Sequence, residues 1–360
     1  MYKVVTILGN RPQFVKAALL SRKFDEHPDF EEVLVHTGQH FDNNMSALFF
    51  DELSLKEPAY QLGVHSLERD DLVEKISTKL VSILIEENPT IVIVYGDTNS
   101  TLAGAIAARV FSVPIVHIEA GVRSFDDRMQ EETNRKWVDH ISRLLLAPSR
   151  LALENLDFPE YSGDVIFSGD IMKDMAIHFA DKSRQPSGLN VDNFILATIH
   201  RASNTDDIEV LQEIVNALNI IHRETPVVLP MHPRTKSAID ENNIKCDFLI
   251  LPPVGYFEML YLLQNATLVF TDSGGLQKEA YYFKKPAIVV RDTSEWDELV
   301  DAGYSHLCVP VCADTILANY KDLKGSNIVF DKEFYGDGHA TEIIFSSIQK
   351  LVGSFIDLLD

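Results

Sequence analysis

The chain has 360 residues, 46% of them hydrophobic and 24% charged, with a formal net charge of -22. That length exceeds what one core usually serves, so two domains are expected, and the acidity argues against generic binding to nucleic acid or an anionic membrane. Cys246, Cys308 and Cys312 lack zinc-ribbon spacing and make no disulfide framework, which fits a reducing cytoplasm.

In chain order, "YKVVTIL" reads as a strand. No basic segment followed by a long apolar stretch precedes it, so no signal peptide is expected, and no apolar run is long enough to span a bilayer. A helix is predicted from about Phe14, then strands at "EEVLVHTG" and "TIVIVYG", a helix from about Ser100, and a strand at "VPIVHIE". "EETNRKWVDHIS" reads as a helix and "DVIFSGD" as a strand. The stretch from Gly169 to Pro186, with its polar "DKSRQPSG", marks a domain boundary. The pattern then restarts with "NFILATIH", "PVVLPMH", "DFLILPP", "ATLVFTD" and "PAIVVRD", and a helix at "TEIIFSSIQKLVGSFIDLL" closes the chain and packs on one domain. Strands apolar on both faces and separated by helices mean parallel sheets. The expected fold class is α/β: two Rossmann-like, doubly wound domains, residues 1–170 and 171–340, facing a cleft at their C-terminal strand ends.

Several residues fall at those strand ends. Arg11 follows the first strand and Lys16 lies about one turn into the next helix, both placed to meet an anion at the helix N-terminus. A turn with two surface cations is the competing reading. Asp97 and Glu119 each follow a strand directly, and parallel strands put both at one sheet edge. Glu131, Asn134 and Arg135 open the next helix. Carboxylates gathered in one cleft raise each other's proton affinity, which makes general acids and bases; an exposed charged loop is the alternative. In the second half, His200 and Arg201 sit at a strand end, and "LPMHPR" repeats the theme with His232 and Arg234. In "LVFTDSGGLQKEA" a strand ends at Asp272, and Ser273, Gly274 and Gly275 open a helix whose free N–H groups suit a phosphate. Glu279, one turn in, is placed to accept from a ribose diol. No G-x-G-x-x-G follows any strand, so no NAD is expected. Acids in one half and a phosphate seat in the other suggest an enzyme acting on a nucleotide sugar.

These motifs, in order, resemble the non-hydrolysing UDP-N-acetylglucosamine 2-epimerases: "GNRPQFVKAA", "HTGQHFD", "YGDTNSTLAGA", "HIEAGVRS", "EETNR", "HRASNTDD", "HPRT", "TDSGGLQKEA", "RDTSEW" and "YGDGHA". The resemblance implies a glycosyltransferase-B-type fold, with residues 341–360 packed back on the N-terminal domain, and a cytoplasmic homodimer. It implies interconversion of UDP-GlcNAc and UDP-ManNAc for surface polysaccharides such as lipopolysaccharide, without cofactor or metal. The mechanism it implies is loss of UDP to a glycal and re-addition. By position in the motifs, Asp97, Glu119, Glu131, Lys16 and His200 carry the chemistry. Arg11, Ser273, Gly274, Gly275 and Glu279 hold UDP. Arg135 orients the sugar or the carboxylates, and Arg201, His232, Tyr256 and Arg291 complete substrate binding. Gln39 and His40 match positions near an allosteric UDP-GlcNAc. The chain departs from the usual pattern at "GNRPQF", at Ala202 in "HRAS" and at Trp296–Asp297. These forms look more like the UDP-2,3-diacetamido-2,3-dideoxyglucuronate 2-epimerase branch, which puts the sugar's C3 and C6 substituents in question. A glycosyltransferase or a non-catalytic UDP-sugar binder on the same fold is the more distant reading.

Overall fold

The computed structural model describes residues 1–39, 52–53, 55–65, 67–158 and 161–355. It divides into two compact units, Met1–Ile177 with Glu333–Asp360, and His178–Lys332. The sequence placed the division at 170/171. The helix Ile171–Phe179 starts there, and most of its length belongs with the first unit.

The first unit holds β1 (Tyr2–Leu8), β2 (Phe30–His36), β3 (Tyr60–Gln61), β4 (Ile91–Tyr95), β5 (Ile115–Ile118), β6 (Leu144–Ala147) and β7 (Asp164–Phe167). They lie in the order β3-β2-β1-β4-β5-β6-β7, with every pairing parallel. The strands are apolar on both faces because helices cover both; every residue of β4 is buried. On one face, Leu72, Ile76 and Leu80 of helix Arg69–Glu87 and the alanines of helix Asn99–Val110 pack on Val5, Ile7, Val92 and Val94. Gly104 permits that approach: a Cβ there would lie 2.7 Å from Ile7 Cδ1. Connections leave β1 and β4 in opposite directions, so the neighbouring C-terminal ends of these two strands form a switch point.

The closing helix, Ala340–Ser354, packs on helix Arg11–Glu26 and belongs to the first unit. Phe345 meets Phe24 and Phe30 at centroid distances of 5.6 and 5.4 Å. Asp174 takes the backbone N–H groups of Ala340 and Thr341 at 3.0 and 2.7 Å, so a side chain before the unit division caps a helix 166 residues later.

The second unit repeats the plan with β8 (Ile195–Thr198), β9 (Val227–Pro230), β10 (Leu249–Leu251), β11 (Leu268–Thr271), β12 (Ala287–Val289) and β13 (Ser305–Leu307), in the order β10-β9-β8-β11-β12-β13 and again all parallel. Its switch point lies between β8 and β11. No described helix is long and apolar enough to cross a membrane.

Three strands were not in the sequence reading: β3, β6 and β13. The first has two residues and the last three, too short for any periodicity to appear. The first helix begins at Arg11 rather than near Phe14, because the Asn10 side chain accepts from Gln13 N at 3.2 Å and Pro12 suits the opening turn.

Candidate active site

At the first unit's switch point, Gln13 joins the two strand ends. Its Oε1 accepts from Gly9 N at 2.7 Å, and its Nε2 donates to Tyr95 O at 2.7 Å and to Thr101 Oγ1 at 2.9 Å. Gln13 is 2% exposed, so helix Arg11–Glu26 is fixed against β4 by a buried, satisfied amide. Arg11 therefore sits in the first helical turn, half-buried, and not on the strand end. One turn on, Lys16 Nζ donates to Glu119 Oε1 at 2.6 Å, and both side chains are about nine-tenths buried. Sequence reasoning offered Lys16 to an incoming anion; here the anion is the chain's own carboxylate.

Glu119 has φ 71°, in the left-handed region, and is flanked by Gly121 at φ 79°. A non-glycine residue held there costs of order 1–3 kcal/mol and is found chiefly where a side chain must be aimed. Asp97 follows Gly96, whose φ is 61°, at the end of neighbouring β4. Its carboxylate pairs with the buried Arg135 guanidinium. Arg135 also reaches Glu132 Oε2 at 3.3 Å, and Glu132 Oε2 accepts from Ser124 N at 2.8 Å and Ser124 Oγ at 3.0 Å. Asn134 Nδ2 donates to Asp97 O at 2.9 Å. Glu131, on the same helical turn, is exposed. Of the three acids expected here, two are thus held by cations at adjoining strand ends, and the third is open to solvent.

Sequence reasoning assigned no role to the residues behind these acids. His117 on β5 puts Nε2 2.7 Å from Gly96 O and Nδ1 2.7 Å from Asp139 Oδ1. Asp139 Oδ2 accepts from Arg123 Nη2 at 2.7 Å and from Gly121 N at 3.2 Å. A signal existed: Glu132, Arg135 and Asp139 fall at i, i+3 and i+7, one face of helix Gln130–Ile141, and all three are buried.

In the second unit, β8 and β11 end side by side, with the Thr198 and Thr271 hydroxyls 2.7 Å apart. Asp272 follows, fully buried. Its Oδ2 accepts from the backbone N of His200 and Arg201, each at 2.9 Å, and from Asn204 Nδ2 at 3.1 Å; Oδ1 lies 2.9 Å from His200 Nδ1. Burial alone disfavours the charged carboxylate. The hydrogen bond and charge of His200, with the two backbone N–H groups, outweigh it and keep the group below the usual carboxylate range. Asp272 thereby ties the His200–Arg201 loop to the Ser273 loop. His232 caps helix Pro233–Glu241, and its ring centroid is 5.5 Å from that of His200.

Ser273 caps helix Gly274–Tyr282, and Gly275 on its first turn has open space on its Cβ side. A Cβ on Gly274 would lie 3.3 Å from Glu295 Oε2. Glu295 is clasped by Arg291 through bonds of 2.7 and 2.9 Å and approached by Arg201 at 3.6 Å. Arg291 and Tyr256 are both buried, the first turned onto Glu295 and the second among Phe179 and Phe257. Glu279 is buried in the second turn of the glycine-led helix. Trp296, one of the departures noted above, donates from Nε1 to Gly274 O at 2.8 Å, and Lys278 Nζ lies 4.0 Å from its ring centroid. Gln39 has Oε1 on Ser100 N and Oγ at 2.9 and 2.7 Å, while His40 lies outside the described residues. Among the described residues no group of three or more His, Cys, Asp or Glu is placed to hold a metal ion.

Chains of this plan are known. The family model for UDP-N-acetylglucosamine 2-epimerase matches residues 22–349. The UDP-2,3-diacetamido-2,3-dideoxy-D-glucuronate 2-epimerase of Pseudomonas aeruginosa is 45% identical over 354 residues, covering 97% of this chain and all of that one. A UDP-N-acetylglucosamine 2-epimerase of Methanococcus maripaludis is 37% identical over 97% of this chain and 98% of its own. The crystal structure of the Methanocaldococcus jannaschii UDP-GlcNAc 2-epimerase in complex with UDP-GlcNAc and UDP superposes with a TM-score of 0.89 at 33% identity, covering 97% of this chain and 99% of that chain. With its paired acids at one sheet edge and its glycine-led helix at the other, the chain belongs to the UDP-N-acetylglucosamine 2-epimerase family, whose named members are isomerases.

Proposed function

We propose that this chain inverts C2 of a UDP-linked 2-acetamido sugar by eliminating and re-adding UDP. The observation that carries the reading is the pair of carboxylates at adjoining strand ends, Asp97 on Arg135 and Glu119 on Lys16. C2 has no neighbouring carbonyl, so its proton is scarcely acidic and a base alone does not suffice. One carboxylate takes the C2 proton while the C1–O bond breaks, its electron pair leaving with the diphosphate and a C1=C2 bond forming. A second acid then protonates C2 on the opposite face as a diphosphate oxygen re-forms the bond to C1. Atoms and electrons balance without any oxidant. Glu131, exposed on the first turn of its helix, is the third candidate for proton transfer.

The leaving diphosphate needs positive potential that does not have to be rearranged when charge develops. The N-terminal turn at Ser273–Gly275 supplies N–H groups and the helix dipole. His200 and Arg201, whose loop is set by Asp272, supply cationic or proton-donating side chains. Arg291 acts by holding Glu295 beside Gly274.

The substrate we propose is UDP-2,3-diacetamido-2,3-dideoxyglucuronate, supported by the 45% identity to an enzyme of that name and by the departures at "GNRPQF", "HRAS" and Trp296. UDP-GlcNAc is the second reading, supported by the family model and by relatives at 37% identity. On the family resemblance we further assign a cytoplasmic homodimer supplying surface-polysaccharide precursors. Incubation with each sugar in D₂O, followed by NMR, is the test. Deuterium appears at C2 of both epimers of the true substrate. Absence of exchange with both sugars refutes the reaction; exchange with UDP-GlcNAc alone refutes the preferred substrate.

A further inference from the structure

The buried cluster His117–Asp139–Arg123 touches every segment that carries a proposed catalytic carboxylate. His117 is on β5, two residues before Glu119. Its Nε2 lies 2.7 Å from Gly96 O, the carbonyl immediately before Asp97. Its Nδ1 lies 2.7 Å from Oδ1 of Asp139, which stands on the helix that presents Glu131, Glu132 and Arg135. The other Asp139 oxygen accepts from Gly121 N and from Arg123, closing the Glu119 loop onto the same helix.

The proton count follows from the partners. A backbone carbonyl only accepts, and an ionised carboxylate only accepts. With Asp139 ionised against the Arg123 guanidinium, an imidazole with one hydrogen would leave a ring nitrogen lone pair facing an oxygen lone pair at 2.7 Å in a site that is 0% exposed. Both ring nitrogens therefore carry hydrogen. The cluster then holds two positive charges, on His117 and Arg123, around the single negative charge of Asp139. A buried surplus of positive charge thus stands behind Asp97, Glu119 and Glu132.

We infer that His117 is a positioning residue for the epimerase reaction: as a doubly protonated ring it bolts the Gly96–Asp97 strand end, the Glu119 loop and the Glu131 helix into one register. It touches no substrate and acts through Gly96 and Asp139. The inference rests on the proposed function only where it speaks of catalysis; the state of the ring stands on geometry alone.

The test has two arms on the full-length protein. In the first, ¹⁵N-histidine-labelled wild-type protein is examined by NMR, with the His117 signals assigned by their loss in His117→Gln. Both ring nitrogens must appear as N–H; an unprotonated ring nitrogen overturns the inference. In the second, kcat and KM for C2 exchange are compared across wild type, His117→Gln and His117→Leu, each checked for folding by circular dichroism. We expect kcat of His117→Leu to fall about 100-fold with KM changed less than threefold, because substrate contacts are untouched while the carboxylates lose their register. His117→Gln keeps one donor and recovers about tenfold of that loss. A His117→Leu protein that is folded and retains kcat within threefold of wild type overturns the positioning role, as does an equal loss in both variants. If His117→Leu does not fold, Asp139→Asn, which keeps the volume and removes the charge, takes its place with the same expected fall. Absence of exchange by the wild type refutes the proposed function, and the ring-nitrogen spectrum still decides the proton count.

Discussion

Glu119 keeps a left-handed backbone, and the residue across from it, Gly96, does so too. A Cβ on Gly96 would lie 3.3 Å from Glu119 Oε1 and 3.6 Å from Lys16 Nζ. Gly96→Ala is therefore expected to cost about 1–2 kcal/mol in unfolding experiments through its positive φ, and to displace the Glu119–Lys16 pair. C2 exchange should fall at least tenfold; unchanged exchange would show that this pair tolerates movement. Glu119→Gln keeps the shape and removes the base, and is expected to lower kcat by about 10²–10⁴-fold, the range for a lost general acid–base group. At this scale the sequence was informative wherever a residue follows a strand. Asp97, Glu119, His200 and Ser273 were readable because the end of an apolar run locates the sheet edge. His117, Asp139 and Asp272 were not, because a polar residue buried against a partner 18 to 72 positions away looks locally like any other polar residue.

At the scale of elements, the first helix and β2 share an unusual contact. Glu32 on β2 is half-buried, but its carboxylate is enclosed: Oε1 accepts from Thr6 Oγ1 at 2.6 Å, and Oε2 is out of solvent beside the Ser21 hydroxyl. Burial pushes its carboxyl up to about 7, against a partial opposing effect of the Thr6 and Ser21 hydroxyls. In the folded protein the group keeps its proton at pH values where the unfolded chain has lost it. Stability is thus full below the unfolded value near 4.5, falls as pH rises to about 7, and is flat above that. The linked loss is on the order of 3 kcal/mol. Glu32→Gln should match the wild type in urea unfolding at pH 4.5 and exceed it at pH 8; an equal difference at both values would contradict this. The closing helix offers a second test. Asp174 accepts from Ala340 N, Thr341 N and Thr341 Oγ1. Asp174→Ala is expected to cost about 2 kcal/mol, as for a strong N-cap, in the unfolding transition. The sequence showed this helix through its apolar spacing, but its cap lies 166 residues upstream, where no local signal reaches.

At the scale of the molecule, two parallel sheets that share one order over six strands, the first carrying a seventh, follow from alternating apolar runs and amphipathic helices. The alternation was visible over long strands such as β1 and β4, and invisible over β3 and β13, which gain their place only by pairing with β2 and β12. What the plan achieves is two switch points on one chain, one rich in paired acids and one built around a glycine-led helix. Elimination and re-addition of UDP require that epimerisation proceed through cleavage of the C1–O bond. It is tested most directly with a substrate carrying ¹⁸O in the bridge between C1 and the β-phosphorus. During C2 exchange in D₂O the label is expected to scramble into the non-bridging β-phosphate oxygens, because a freed diphosphate re-adds through any of its equivalent oxygens. Epimerisation with the ¹⁸O held entirely in the bridge would contradict it.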